Sequence, residues 1–315
     1  MFLNIVLLLV GFVLLIKGAD FFVDGSSSVA KLIGIPGFVI GLTVVAMGTS
    51  APEAAVSISA GIQGSNEIAV SNVVGSNIFN LLVVAGICAV IKPYKIEKDL
   101  LKRDFPVNIV VSVALLLMAL ANSTITRFNG ILMLVLFASY IAFILAVAFK
   151  NRETQEDGED VKTMKPVWSV VAIVCGLAAV IFGGDMVVKS ATAIAQELGW
   201  SETFIGLTII AIGTSLPELV TSIVAARKGE SGLALGNVIG SNIFNIMLIL
   251  GLSSSINPIS VDTNGIINIG VVIGVTALVY VACLVKKGMG RVVGAASVLA
   301  YCGYTAYLLC TTVQA

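Results

Sequence analysis

Gly41-Leu-Thr-Val-Val-Ala-Met-Gly-Thr-Ser-Ala-Pro-Glu53 returns later in the chain as Gly206-Leu-Thr-Ile-Ile-Ala-Ile-Gly-Thr-Ser-Leu-Pro-Glu218, 165 residues on. Asn72-Val-Val-Gly-Ser-Asn-Ile-Phe-Asn80 returns at the same offset as Asn237-Val-Ile-Gly-Ser-Asn-Ile-Phe-Asn245. Asp20 and Asp185 keep that spacing, as do Gly11 and Gly176, Gly34 and Gly199, and Gly86 and Gly251. A match this long without a gap means that one structural unit is used twice. The setting of the repeat is apolar. Of 315 residues 58% are hydrophobic and 11% charged, and the mean hydropathy is +1.06. A soluble domain carries about 25% charged residues. This chain cannot cover a water-facing surface, so lipid is its solvent.

A spanning helix needs about 20 mostly apolar residues. Ten segments qualify, around 3–28, 36–62, 67–91, 105–122, 128–149, 167–192, 202–226, 232–256, 265–285 and 291–312. The first lacks a basic start and is followed by equally apolar runs, so it reads as a transmembrane helix, not a signal peptide. The polar break from Lys150 to Lys165, with five acidic residues, reads as a solvated linker. The expected fold is therefore all-α and transmembrane. A five-helix repeat covers 1–149, a cytoplasmic linker 150–166, and a second five-helix repeat 167–315. An odd helix number starts the second repeat on the opposite face, so the halves are inverted, as in many secondary transporters. With both termini extracellular, 15 of the 18 Lys and Arg fall in cytoplasmic segments, leaving Lys17, Arg127 and Lys189. The positive-inside rule favours that orientation in the cell membrane.

Composition also excludes functions. The formal net charge is zero, which gives no basic footprint for nucleic acid. Histidine is absent, removing the commonest general base and transition-metal ligand. The five cysteines, Cys88, Cys175, Cys283, Cys302 and Cys310, sit in apolar stretches without a CxxC pair. Neither a zinc site nor a disulfide framework is indicated.

Glu53 and Glu218 carry the chemistry. Each lies in the middle of an apolar segment, where a carboxylate costs about 2.5–3.5 kcal/mol on insertion scales. Two anions brought together repel unless a proton or cation sits between them. A hard cation takes oxygen ligands, which carboxylates supply. Pro52 lacks an N–H and its ring clashes with the Gly48 carbonyl, so the helix should break across Gly48–Pro52 and again across Gly213–Pro217. Broken backbone at membrane depth is tolerated where it lines a cavity or is buried in protein. Its carbonyls, with the hydroxyls of Thr49, Ser50, Thr214 and Ser215, are oxygen ligands, and the positive end of each following half-helix points into the site. The second motif adds Asn72, Ser76, Asn77 and Asn80 with Asn237, Ser241, Asn242 and Asn245; Ser76 and Asn80 share a helix face, as do Ser241 and Asn245. Asp20 lies three residues from Lys17, and Asp185 four from Lys189, so same-face pairing accounts for both.

GTSxPE in each half, followed by GxxGSNxxN, resembles the two alpha repeats of the cation/calcium antiporter superfamily, and most of all its prokaryotic sodium/calcium exchanger branch. The resemblance covers essentially the whole chain. It implies a secondary antiporter, not an enzyme, that exchanges Ca2+ for Na+ by alternating access, without a cofactor, nucleic-acid partner or obligate protein partner. It implies Glu53 and Glu218 as central calcium ligands, completed by the Thr49 and Thr214 carbonyls. Ser50, Ser76 and the Ala46 carbonyl would serve an inner sodium site. Ser215, Ser241, Thr214 and the Ala211 carbonyl would serve an outer one, with Asn80 and Asn245 lining the middle. It implies that helices 1 and 6 slide across the other eight. In several exchangers the position matching Asn245 is Asp. Here two carboxylates balance one calcium or two sodium ions, and a third sodium would leave the pocket positive. Two protons also balance them, which keeps a Ca2+/H+ antiporter in view. Gly18-Ala-Asp20 and Gly183-Gly-Asp185 faintly resemble the motif of intramembrane aspartyl proteases, a further alternative, and a passive cation channel is disfavoured by the inverted repeat.

Overall fold

The computed structural model describes residues 1–64, 66–150, 163–200, 209 and 211–313. Most of the expected linker, and the start of the seventh apolar segment up to residue 210, lie outside the described residues. The helices are α1 Phe2–Ile33, α2 Gly37–Thr49, α3 Ala51–Ile62, α4 Ile68–Ile91, α5 Leu100–Ala121 and α6 Arg127–Lys150. They continue as α7 Pro166–Glu197, α8 Ala211–Gly213, α9 Leu216–Lys228, α10 Ser231–Ile256, α11 Thr263–Lys286 and α12 Arg291–Val313. Among the described residues seven helices are long and apolar enough to cross a membrane, or eight if α2 and α3 form one bent span. The protein is a multi-pass membrane protein, all-helical but for two short ladders.

Backbone punctuation repeats at the offset seen in the sequence. Gly34 ends α1 in the left-handed conformation (φ 68°), with Ile35 N–H donating to the Ala30 carbonyl. Gly199 (φ 80°) ends α7 the same way, with Trp200 N–H on Ala195. A left-handed residue without a Cβ is the usual helix stop of this kind. Mid-helix, α4 widens into a π-turn at Asn80–Val84 and α10 at Asn245–Leu250. Such turns re-aim side chains and cluster at functional sites.

Two layers differ in burial. In their most apolar windows α4 is 78% buried and α10 94%, whereas α1 and α6 are 22% buried, so α4 and α10 form the centre. α1 and α7, each of 32 residues, are about 48 Å long, well beyond the ~30 Å hydrocarbon core. They pack on one another through glycine. A Cβ on Gly18 would fall 2.8 Å from the Val180 nitrogen, one on Gly176 2.5 Å from Phe22 N, and one on Gly183 2.7 Å from Leu15 N. The spacing Gly11, Gly18, Gly25 lets the two backbones approach along about four turns.

The strands β1 Tyr94–Lys95, β2 Thr124–Ile125, β3 Ile259–Ser260 and β4 Gly288–Met289 tie loops of the two halves together. β1 pairs antiparallel with β4, Tyr94 opposite Met289; β2 pairs with β3, Ile125 opposite Ile259. Exchanging the halves turns one ladder into the other. The same exchange relates Gly130, whose Cβ would lie 2.7 Å from the Gly251 carbonyl, to Gly294, whose Cβ would lie 2.5 Å from the Gly86 carbonyl. One matched pair differs in charge. Tyr140 donates to the buried Asp104 (2.9 Å), which Arg103 grips with two nitrogens (2.7 and 3.0 Å), whereas Tyr304 donates to the neutral Asn268 (3.2 Å).

Candidate ion-binding site

Both expected breaks occur in the described chain. α2 stops at Thr49; Ser50 sits at φ −80°, ψ 9°; α3 starts at Ala51 with Pro52 in its first turn, bent 51° from α2. In the second copy α8 ends at Gly213, Ser215 takes φ −90°, ψ 7°, and α9 begins at Leu216 with Pro217 in its first turn. Glu53 and Glu218 therefore both lie in the first turn of a helix, where the free N–H groups and the dipole favour an anion. Both are fully buried. No ion pair reaches either of them among the described residues.

Each carboxylate is held by the other half. Ser215 Oγ donates to Glu53 Oε1 (3.0 Å), and Ser50 Oγ donates to Glu218 Oε1 (2.7 Å). Ser76 Oγ reaches Glu53 Oε1 at 3.5 Å and Ser215 Oγ at 3.2 Å. Thr49 Oγ1 donates to Asn237 Oδ1 (3.1 Å). Asn237 is in turn fixed by its Nδ2 on Ser222 (2.9 Å), and Asn72 is fixed by the matching Ser57 (2.9 Å). Beneath the carboxylates, Asn77 and Asn242 each donate Nδ2 to the other's main-chain carbonyl at 3.2 Å. Asn80 donates to Asn242 Oδ1 (3.2 Å) and Asn245 to Asn77 Oδ1 (3.0 Å).

These bonds leave several buried oxygens over. Glu53 Oε2, Glu218 Oε2, Asn80 Oδ1 and Asn245 Oδ1 are buried without a hydrogen-bond partner, as are Thr214 Oγ1 and Ser241 Oγ. A buried oxygen left unsatisfied costs about 1–3 kcal/mol, more when charged. Two carboxylate and two amide oxygens, related by exchange of the halves, suit a hard cation. No cluster of three or more Asp, Glu, Cys or His occurs among the described residues, so neutral oxygens must complete any cation shell.

Of the expected site residues, Ser50 meets Glu218, and Glu53 and Ser76 meet Ser215, while Thr49, Asn80 and Asn245 cross between the halves to Asn237, Asn242 and Asn77. Ala46 and Ala211 lie just before the two breaks. The serine beside each break, expected at a sodium site, donates here to the carboxylate of the opposite half. Asp20 lies 3.9 Å from Lys17 but 3.3 Å from Lys228, which also binds Asp24 at 2.7 Å; Asp185 keeps Lys189 at 2.8 Å. The reciprocal bonding of Asn77 and Asn242 went unassigned in the sequence, although both belong to the repeated motif.

A buried, two-fold set of oxygens at broken helices in a multi-pass membrane protein defines an ion transporter. The family model described as sodium/calcium exchanger protein matches residues 3–146 and 168–310; the chain belongs to that family. It is 40% identical over 316 residues to the putative antiporter CaxA of Alkalimonas amylolytica, covering 96% of this chain and 98% of the relative. It is 36% identical over 298 residues to the sodium/calcium exchanger MaX1 of Methanosarcina acetivorans, covering 82% and 84%. A solved structure of the sodium-calcium exchanger NCX_Mj, soaked with zero Na+ and Ca2+, superposes with a TM-score of 0.86 at 31% identity, covering 98% of this chain and 99% of that one.

Proposed function

We propose that the chain is a Na+/Ca2+ antiporter in which both ions compete for one site built on Glu53 and Glu218. The observation that carries this is the pair of unpartnered carboxylate oxygens beside the unpartnered Asn80 and Asn245 oxygens. A bound Ca2+ takes the two carboxylates and the carbonyls at Thr49 and Thr214. Sodium sites on either side use Ser50, Ser76 and the Ala46 carbonyl, and Ser215, Ser241, Thr214 and the Ala211 carbonyl. The architecture is ten helices in two inverted repeats, 1–149 and 167–315, with the linker 150–166 in the cytoplasm and both termini outside the cell membrane. The exchanged ladders and the exchanged carboxylate–serine bonds support the inverted arrangement. α1 and α7 act as the sliding pair, since their tightest backbone contacts are to each other.

Charge sets the stoichiometry. With Asn at 245 the pocket holds two formal negative charges, so one Ca2+ exchanges for two Na+ readily and a third Na+ binds weakly. Radioactive calcium uptake into proteoliposomes tests the whole reading. An outward sodium gradient is expected to drive uptake without a pH gradient. Uptake driven by a proton gradient alone moves the assignment to Ca2+/H+ exchange, for which two protons on two carboxylates supply the balance. A reversal potential fitting three Na+ per Ca2+ would sink the charge argument.

A further inference from the structure

Between α11, α12 and α4 runs an open groove of ≈ 400 Å³ that the transport site does not use. It extends from Ala282 and Val292 at one end to Val271 and Tyr304 at the other. Along α12 that is about 18 Å, close to one leaflet of a ~30 Å hydrocarbon core. Its few polar groups are occupied: Ser297 Oγ donates to the Val293 carbonyl (2.9 Å) and Tyr304 to Asn268 (3.2 Å). The wall is almost entirely hydrocarbon, and its rim residues Leu278 and Val292 are 74% and 83% exposed. Close packing of Gly294 on the Gly86 carbonyl fixes α12 against α4, so the groove is built into the fold.

The mouth is basic. Lys286 closes α11, Lys287 follows in the left-handed conformation, and Arg291 opens α12. Arg291 Nε donates to the Val90 carbonyl (3.2 Å), which holds the guanidinium at the end of the groove. All three are exposed, and no carboxylate pairs with them among the described residues. From Thr263 to Ala315 the chain contains no Asp or Glu. The adjoining loop is tied in by Ile96 N–H on the Lys287 carbonyl (3.2 Å), and its Glu97 is turned against Gly232 of α10.

We infer that this groove is a binding site for an anionic phospholipid, one acyl chain lying along α12 and the phosphate held by Lys286, Lys287 and Arg291. A lone apolar groove in a bilayer takes any chain; three unpaired cations at its mouth select the headgroup. The inference needs only the membrane setting, so a protein inactive in ion exchange would still show it.

The test uses the full-length protein in detergent, with bound lipid counted by native mass spectrometry and the thermal midpoint followed on titration. Dioleoyl phosphatidylglycerol is expected to bind and stabilise more than dioleoyl phosphatidylcholine. K286Q/K287Q/R291Q should abolish the preference, with affinity falling roughly fivefold per charge removed. A296L, which fills the groove and keeps every charge, should weaken both lipids and serves if the triple variant fails to fold. Equal response to the two lipids in the unmodified protein, or a preference that survives the triple variant, would overturn the assignment. So would stabilisation by glycerol 3-phosphate without chains, because that is a free-anion site.

Discussion

The α1–α7 pair and the α4–α10 centre are both helix pairs taken from opposite halves, yet they are glued differently. α1 meets α7 mainly through close backbone approach along the Gly11–Gly18–Gly25 stripe, with side-chain hydrogen bonds toward the two ends, Ser169 Oγ to Ser28 (2.8 Å) and Asn4 Nδ2 to Glu197 (3.1 Å), and most of each helix faces lipid. α4 meets α10 through reciprocal Asn77–Asn242 bonds buried away from both water and lipid. Smooth contacts of the first kind permit sliding at little cost in hydrogen bonds; the second kind must break several at once. In the proposed transport cycle, the chemistry of the two seams separates a rigid site from a sliding frame.

The largest effect should come from the centre's own charge. Glu53→Gln or Glu218→Gln is expected to lower sodium-driven calcium flux at least ~100-fold while the thermal midpoint without calcium stays put, because an isosteric amide removes a buried anion. Flux near normal in either variant would refute the site. Next, Gly236→Val places a Cβ within 2.4 Å of the Phe38 carbonyl in the centre. It should destabilise by about 1–3 kcal/mol, as overpacking of a close-packed core does. Gly18→Val in the outer pair should instead slow turnover more than it lowers the melting temperature. If both variants lose only stability, the distinction between the two seams fails.

Asn77→Ala removes a donor to Asn242 and an acceptor for Asn245, a loss of about 1–3 kcal/mol. Calcium affinity should fall with it, and isothermal titration would show a stability change alone if the amides merely glue helices. The smallest effect lies in the loop beside the centre. Glu97 reaches solvent, yet loss of water around its carboxylate, and then the charge of Asp99, raise its pKa to about 7. The folded state then holds a proton that the unfolded state has released, so stability falls as pH rises from about 4.5 to 7 and is flat above. Glu97→Gln should erase that slope in melts followed against pH; a slope that persists belongs to another group.

Much of this was legible in the chain. The two breaks, the two carboxylates and their repetition follow from Pro52, Pro217 and a motif written twice, because proline geometry and the cost of burying charge act locally. What was not legible depends on approach between segments far apart in sequence. That Ser50 serves Glu218, and Ser215 serves Glu53, needs the halves docked. Lys228 displaces Lys17 as the nearer partner of Asp20 only when α9 reaches α1. α5 begins at Leu100, earlier than its apolar run, because Arg103 and Tyr140 satisfy Asp104 inside the bundle. The wide turns at Asn80 and Asn245 have no residue signature of their own; they are fitted by packing around the amides.

An object whose halves are interchangeable offers the same face to both compartments and has no means of telling inside from outside. Where the halves fail to correspond, the molecule acquires a direction. The charged cluster of Arg103, Asp104 and Tyr140 has as its counterpart in the other half only the uncharged couple Asn268 and Tyr304, so one flank of the bundle is clamped by ions and the other by a single neutral bond. The arginine and the aspartate it holds thus mark one flank of the bundle as unlike the other.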